Sequence, residues 1–180
     1  KRHDFRIDYR AGVDGGGRIL GLSFRHLARC GWSQDLSLPV CDRAMLHADN
    51  AYLLENIRIE SHRLRTNTQS ATAFRGFGGP QGMLGIERVM DHVAHALGLD
   101  ALAVRRANFY AESGDASGGG ISATKTQRTP YHMEVEDFIL HGLIARLEET
   151  SGFRARQAAV AERNARAPVP NSVRAAGGAG

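Results

Sequence analysis

The sequence has no long apolar run and only two cysteines. No apolar run in its 180 residues approaches the length of roughly 20 residues that a membrane-spanning helix needs, so we expect no membrane span. Cys30 and Cys41 form no C-x-x-C pair and cannot supply the four thiolates of an iron–sulfur cluster. We expect both to be small buried apolar residues, with a disulfide between them as an alternative.

A basic stripe with stacking aromatics is also lacking. The 23 Lys and Arg residues give a formal net charge of +4, but they are dispersed among Asp and Glu. Proteins that bind nucleic acid concentrate such charge on one face, so we expect no nucleic-acid partner. No signal-peptide pattern opens the chain and its first residue is not methionine, so we expect a cytoplasmic piece of a larger protein.

Alternating apolar and polar residues predict β-strands in the first third of the chain. Residues 4–10 and 19–27 are separated by a glycine-rich turn, a pattern typical of an antiparallel hairpin. Residues 56–64 predict another strand, with Ile57 and Ile59 facing inward. Arg25 and His26, near the end of the hairpin, are expected to be solvated or hydrogen-bonded structural residues.

Helices are predicted from apolar spacings of three and four and from capping residues. Ser37 is the expected N-cap of a helix that runs to about Ala48, and Asp100 the expected cap of a short helix over 101–108. A longer helix begins at Pro80 and ends before Gly98, with its apolar stripe formed by Met83, Ile86, Met90, Val93 and Leu97. On its polar side His92 and His95 are expected to be solvated.

Two further helices are predicted near the end of the chain. One is outlined by the apolar residues Val135, Phe138, Ile139, Leu143 and Leu147, and the other covers 153–163. We expect an α+β fold in which antiparallel strands precede amphipathic helices. Residues 1–164 would form one partial domain with a flexible Ser/Gly-rich loop at 113–120, followed by a disordered tail over 165–180.

The strand over 56–64 leads into a glycine-rich segment, Thr72-Ala-Phe-Arg-Gly-Phe-Gly-Gly-Pro-Gln81. Glycine permits positive φ and lets a backbone approach a ligand closely, and free N–H groups in the first turn of the following helix favour an anionic or oxygen-rich ligand. Arg75 adds a fixed positive charge and Phe77 a flat apolar face. The glycines match neither the dinucleotide fingerprint nor the phosphate loop. A plain strand-to-helix turn with buried phenylalanines is the alternative.

The glycine-rich segment closely resembles the molybdopterin-binding segment of xanthine dehydrogenases and their aldehyde oxidase relatives. Two upstream stretches, His26-Leu-Ala-Arg-Cys-Gly31 and Cys41-Asp-Arg-Ala-Met-Leu-His-Ala-Asp49, resemble the large subunit of the bacterial xanthine dehydrogenases. The resemblance extends to about Leu147. It implies a molybdenum–molybdopterin cofactor, with two [2Fe–2S] clusters and FAD bound elsewhere in a dimeric enzyme that passes electrons to NAD or oxygen.

The resemblance also assigns residues. Arg75, with the backbone of Ala73 and Phe74, matches the segment beside the molybdenum and its oxo ligand, and Phe77 matches the residue that stacks on the purine. Arg43 matches an arginine that holds the substrate in the purine-oxidising members, whereas aldehyde oxidases have uncharged residues there. One turn after Arg43, His47 is expected to be structural.

The matched region lacks the glutamate that acts as base in the family. Glu60, Glu87, Glu134 and Glu136 do not match its motif, so we expect no catalytic residue in this chain and no activity from the chain alone. The implied reaction of the whole protein is hydroxylation of hypoxanthine and xanthine to urate. An aldehyde or N-heterocycle oxidase and a non-catalytic remnant are the alternatives.

Overall fold

The computed structural model describes residues 1–112 and 127–166. They form three strands and five helices. In chain order these elements are β1 (Asp4–Val13), β2 (Ile19–Gly31), α1 (Ser37–Met45), β3 (Ile57–Arg65), α2 (Gly79–Leu97), α3 (Ala101–Ala107), α4 (Leu140–Thr150) and α5 (Phe153–Arg166). The predicted α+β class is confirmed. The chain divides into two compact units, Lys1–Phe138 and a second that begins at Ile139.

The sheet has the order β1-β2-β3 and is mixed. The predicted hairpin is confirmed, because β1 and β2 pair antiparallel with Tyr9 opposite Phe24. The expectation that all the strands are antiparallel is wrong for β3, which pairs parallel to β2 with Ile57 beside Leu22. The reason is the connection through α1, which returns the chain to the starting end of β2. Parallel neighbours require such a long crossover.

One face of the sheet packs on α2. The buried core includes Phe24 of β2 and Tyr52, Ile86, Met90 and Val104. The predicted α2 stripe is wrong at both ends, since Met83 and Leu97 are 38% and 39% exposed. Ile86, Met90 and Val93 are buried as predicted, and the other buried positions of α2 are Gly79, Gly82, Val89 and Ala94. The stripe is rotated because Gly82, which has no side chain, packs directly against α1.

The helix ends follow the sequence signals in α2 and α3 but not in α1. Gly98 ends α2 in the left-handed conformation, and Asp100 caps α3 by accepting a hydrogen bond from the backbone N–H of Ala103, 2.9 Å long. Ser37 is not an N-cap, because it is the first residue of α1. Its buried Oγ lies 2.8 Å from Nε2 of His3, so the hydroxyl joins the helix to the residue before β1.

The second unit contains α4 and α5, and neither helix has a buried residue. The helix predicted from Val135 onward begins later, at Leu140, and α5 extends to Arg166. Ala165 and Arg166 are therefore helical, whereas the rest of the predicted tail lies outside the described residues. The predicted loop at 113–120 lies outside them as well. Among the described helices none is both long and apolar enough to cross a membrane.

Both cysteines are buried free thiols, so the predicted disulfide alternative is not formed. They pack with Ala28 and Phe5 in a small apolar cluster. Burial raises the pKa of the Cys41 thiol to about 12. The two cysteines therefore behave as apolar packing groups, as predicted.

His26 contradicts its expected role as a solvated or hydrogen-bonded residue. It is fully buried, with its ring 6.1 Å from that of Phe5 and 5.5 Å from that of Phe24. Neither ring nitrogen has a hydrogen-bond partner among the described residues. It faces inward because it alternates with Phe24 and Ala28 along β2. Burial lowers the pKa of His26 to about 4.

We expect His26 to make the fold less stable in acid. The folded state keeps the imidazole neutral down to about pH 4, whereas in the unfolded chain it gains a proton below about pH 6.5. The unfolding free energy should therefore fall by about 3 kcal/mol as the pH decreases through this window. Urea unfolding of the chain at a series of pH values, with and without the substitution His26→Leu, measures the effect.

The comparison between variants is needed because Asp49 titrates with the opposite sign. This carboxyl is 3% exposed, and burial raises its pKa to about 6, so its contribution to stability is lost as pH rises. His26→Leu should remove the part of the fall in unfolding free energy at acid pH that His26 causes. The control His95→Leu, at an exposed site, should retain that fall. Equal pH dependence in the His26→Leu variant and the wild type would show that the buried imidazole is not its source.

Candidate functional site

The glycine-rich segment connects β3 to α2 through a compact turn. The N–H of Phe77 donates to the carbonyl of Phe74 at 2.8 Å, and the N–H of Gly79 donates to the carbonyl of Gly76 at 3.0 Å. Gly76, Phe77 and Gly78 have φ angles of 93°, 48° and 95°. Three consecutive residues thus adopt the left-handed region, which a bulky residue such as Phe77 rarely enters. Strain of this kind is concentrated at functional sites.

Gly78 of this turn and Gly82 of α2 allow a close approach to α1. A Cβ atom on Gly78 would lie 1.9 Å from the carbonyl oxygen of Val40, and one on Gly82 would lie 2.2 Å from that of Ala44. The backbone of α1 therefore fills the space on the Cβ side of Gly78. The glycines fix the distance between α1 and the start of α2.

The expected free N–H donors at the start of α2 are also largely used within the turn. Gly79 donates to Gly76 as described, and the N–H of Gln81 donates to the carbonyl of Gly78 at 3.2 Å. Pro80 has no N–H. The start of α2 therefore offers few free N–H donors to an anionic group, and the side-chain candidates are the arginines around the turn.

Arg43 is carried to the turn by α1. A Cβ on Gly79 would lie 3.8 Å from Nε of Arg43 and 3.4 Å from Cδ2 of His47. The Nε–H of Arg43 donates to Nε2 of His47 at 3.2 Å. The terminal nitrogens of this exposed arginine have no hydrogen bond within residues 1–112 and 127–166, so they keep their donors for a ligand.

The contact also places His47 beside Arg43. Since the Nε of arginine can only donate, Nε2 of His47 is the acceptor in this hydrogen bond. The half-buried imidazole thus orients the guanidinium from one side. The hydrogen bond agrees with the expectation that His47 is bonded within the neighbourhood of its helix.

Arg75 and Phe74 lie at the exposed side of the turn, and Phe77 is half-buried. The carbonyl of Arg75 accepts a hydrogen bond from a terminal nitrogen of Arg2, 2.7 Å long, and the Arg2 guanidinium lies 4.4 Å from the centre of the Phe74 ring. A cation over an aromatic face is attracted by the ring quadrupole. Arg2 therefore positions the segment, leaving the Arg75 guanidinium exposed.

Arg2 is the residue that sequence reasoning missed. It is separated from Arg75 by 73 positions, and no local spacing connects them. Its other terminal nitrogen is buried and has no hydrogen-bond partner among the described residues. The start of the chain is held to the segment elsewhere too, since the N–H of Thr72 donates to the carbonyl of Lys1 at 2.9 Å.

The glutamates that do not match the base motif of the family are engaged in ion pairs and hydrogen bonds. Glu87 accepts from the hydroxyl of Tyr52 at 2.6 Å and pairs with Arg105 at 2.9 Å. Glu60 pairs with Arg58, and Glu134 pairs with Arg128, both at 2.5 Å. Within the described part of the chain no group of three or more His, Cys, Asp or Glu side chains could hold a metal ion.

Comparisons with known proteins give a consistent result. Residues 1–109 match the family described as "Molybdopterin cofactor-binding domain". The mouse protein "Xanthine dehydrogenase/oxidase" is 48% identical over 111 residues, which is 62% of this chain and 8% of that protein. The "Xanthine dehydrogenase" of Drosophila subobscura is 36% identical over 163 residues, 91% of this chain and 11% of that one. The chain thus spans about a tenth of the length of such relatives.

Solved structures share the fold. The aldehyde oxidoreductase of Desulfovibrio gigas superposes with a TM-score of 0.68 at 25% identity, covering 94% of this chain and 17% of that one. Quinoline 2-oxidoreductase of Pseudomonas putida 86 superposes with a TM-score of 0.70 at 23% identity, covering 92% of this chain and 20% of that one. The family match over residues 1–109 includes both α1 and the glycine-rich segment.

Proposed function

Since the chain belongs to the family of molybdopterin cofactor-binding domains found in xanthine dehydrogenases, we propose that it contributes cofactor-binding and purine-binding residues to a xanthine dehydrogenase. The whole protein would hydroxylate hypoxanthine and xanthine to urate. The observation that carries this proposal is the contact of α1 with the glycine-rich turn, which brings Arg43 beside the segment that carries Arg75 and Phe77.

The residues of the turn suit a cofactor rich in anionic oxygen. Arg75 is exposed, Arg43 keeps its terminal donors, and one terminal nitrogen of Arg2 is buried without a hydrogen-bond partner among the described residues. Three guanidinium groups around one turn favour negative charge. Arg75, with the backbone of Ala73 and Phe74, would hold the molybdopterin cofactor. When bound, that group supplies the oxygen-transfer and redox chemistry.

In this proposal the chain binds and orients the substrate but does not move its proton. Phe77 would stack on the purine ring, where an offset aromatic contact adds about 0.5 to 1.5 kcal/mol beyond burial. Its position is fixed by the strained turn, so its ring is preorganised for that contact. Arg43 would donate to a purine oxygen or nitrogen on which negative charge develops, with His47 holding its Nε.

The remaining parts of the proposal concern the whole protein. Two [2Fe–2S] clusters and FAD would be bound by another domain or subunit, with NAD as electron acceptor and a dimer as the assembly, in the cytoplasm. An aldehyde oxidase is the second candidate, favoured by the superposition on the aldehyde oxidoreductase of Desulfovibrio gigas. Arg43 argues against it, because a fixed cation beside the segment suits a purine better than a neutral carbonyl.

Molybdenum content tests the proposal. We expect the 180-residue chain to hold no molybdenum by elemental analysis, and a form extended in both directions to the length of its relatives to hold molybdenum and oxidise xanthine. In the extended form Arg75→Gln should lower the molybdenum content, while Arg25→Gln, an exposed arginine of β2, should leave it unchanged. Absence of molybdenum from the extended form as well would identify the chain as a non-catalytic remnant.

A further inference from the structure

A cavity of about 520 Å³ opens at the C-terminal end of β2. Its walls come from Cys30 and Gly31, the loop that leads into α1, and the last residues of β3, and none of them belongs to the glycine-rich segment. Small-molecule sites in proteins have volumes of roughly 300 to 1,000 Å³. The size of this cavity is therefore sufficient for a ligand, and the proposed function does not use it.

Trp32 supplies an aromatic wall on a fixed backbone. It is 65% exposed although it is the only tryptophan in the chain. The backbone N–H of Trp32 donates to the carbonyl of Thr68 at 3.1 Å. The preceding Gly31 has a φ of 87°, and a Cβ there would lie 2.4 Å from Cα of Ser70. The backbone thus has little freedom, and the exposed indole can stack on a planar ligand at low entropic cost.

The charge of the cavity is positive. Its lining includes Arg63 and Arg65 and no acidic residue. The Arg63 guanidinium contacts the carboxylate of Asp42, so its charge is neutralised locally. Arg65 is exposed and forms no ion pair with any residue in 1–112 or 127–166. One uncompensated guanidinium therefore lies at the rim of a cavity that also has an indole wall.

We propose that this cavity binds a planar aromatic anion, whose ring stacks on Trp32 and whose negative group is held by Arg65. An indole face recognises any flat ring, and a guanidinium binds carboxylate and phosphate oxygens in the same bidentate geometry. Aromatic carboxylates and mononucleotides share this chemistry. The proposal goes beyond the cofactor and purine site, and it does not depend on that site being active.

The single tryptophan gives one indole N–H resonance, which reports binding directly in the isotope-labelled 180-residue chain. The titrants are naphthoate, its neutral amide, adenosine monophosphate, adenosine and inorganic phosphate. We expect a saturable shift with at least one ring-bearing anion, at an affinity about tenfold tighter than for its neutral counterpart or for phosphate. A response to naphthoate alone assigns a carboxylate ligand, and a response to adenosine monophosphate alone assigns a nucleotide.

Two variants locate the anion-binding group. Arg65→Gln should weaken binding about tenfold, whereas Arg156→Gln, which removes the same charge from the exposed surface of α5, should have no effect. The proposal is overturned if no anion gives a saturable shift, if the neutral compounds bind as tightly as the anions, or if Arg65→Gln binds like the wild type. None of these readouts depends on molybdenum, so the outcome is separate from the test of the proposed function.

Discussion

Substituting Arg43 with methionine should abolish most of the xanthine activity of the extended enzyme while sparing its activity on aldehydes. A preorganised donor aimed at developing charge is worth roughly 3 to 4 kcal/mol, so kcat/KM for xanthine should fall by about 10² to 10³. In the proposed binding mode a small aldehyde would have no distant ring oxygen or nitrogen for Arg43 to contact. Methionine matches the length of the arginine stem and removes only the guanidinium, so the packing of α1 against the glycine-rich turn should persist.

Steady-state kinetics on both substrates measure this selectivity. Arg43→Lys keeps the charge but loses the Nε–H that donates to His47, so it should recover only part of the xanthine activity. Arg10→Met, at an exposed position of β1, is the control and should retain both activities. Equal losses on xanthine and aldehyde in Arg43→Met would refute the assignment of Arg43 to purine binding.

The parts of the fold that sequence reasoning predicted correctly depend on neighbours along the chain. The alternation in β1 and β2 predicts their hairpin, and the end of α2 at Gly98 and the cap of α3 at Asp100 follow from local backbone chemistry. The hairpin turn and the helix caps each involve residues a few positions apart. Their interactions can therefore be inferred without knowing the rest of the fold.

The features that were missed depend on contacts between distant residues. The parallel pairing of β3 is set by the crossover through α1, and the burial of His26 by the rings packed around it. Arg2 acts on Phe74 and Arg75 across more than 70 positions. A residue type can suggest an interaction, but its partner is selected by tertiary packing.

The candidate site residues were assigned for a different reason. The roles proposed for Arg43, Arg75 and Phe77 come from resemblance to a family. The sequence indicates that glycine at position 78 permits a sharp turn and a close backbone approach. Only the packed structure identifies the close neighbour as Val40 of α1. At Gly78 the close approach that glycine permits serves helix packing.

Gly82→Ala provides the most direct test of that packing, because helix propensity and tertiary contact predict opposite signs. Inside a helix, alanine is more favourable than glycine by about 1 kcal/mol. At this position, however, the new Cβ would lie 2.2 Å from the carbonyl oxygen of Ala44 and 3.2 Å from the carbonyl carbon of His47. Both neighbours are backbone atoms of the α1 region and cannot rotate away. We therefore expect a loss of about 3 kcal/mol in the free energy of unfolding.

Gly85→Ala, in the same helix, is the matched control for this prediction. Its Cβ would lie 2.9 Å from Cδ1 of Ile7, the flexible end of a side chain, so a small rotation removes the overlap. We expect its unfolding free energy to stay within about 1 kcal/mol of the wild type. Urea unfolding of the 180-residue chain compares the two. If Gly82→Ala were as stable as Gly85→Ala, α1 and α2 would not pack this closely, and Arg43 would no longer be held beside the glycine-rich turn.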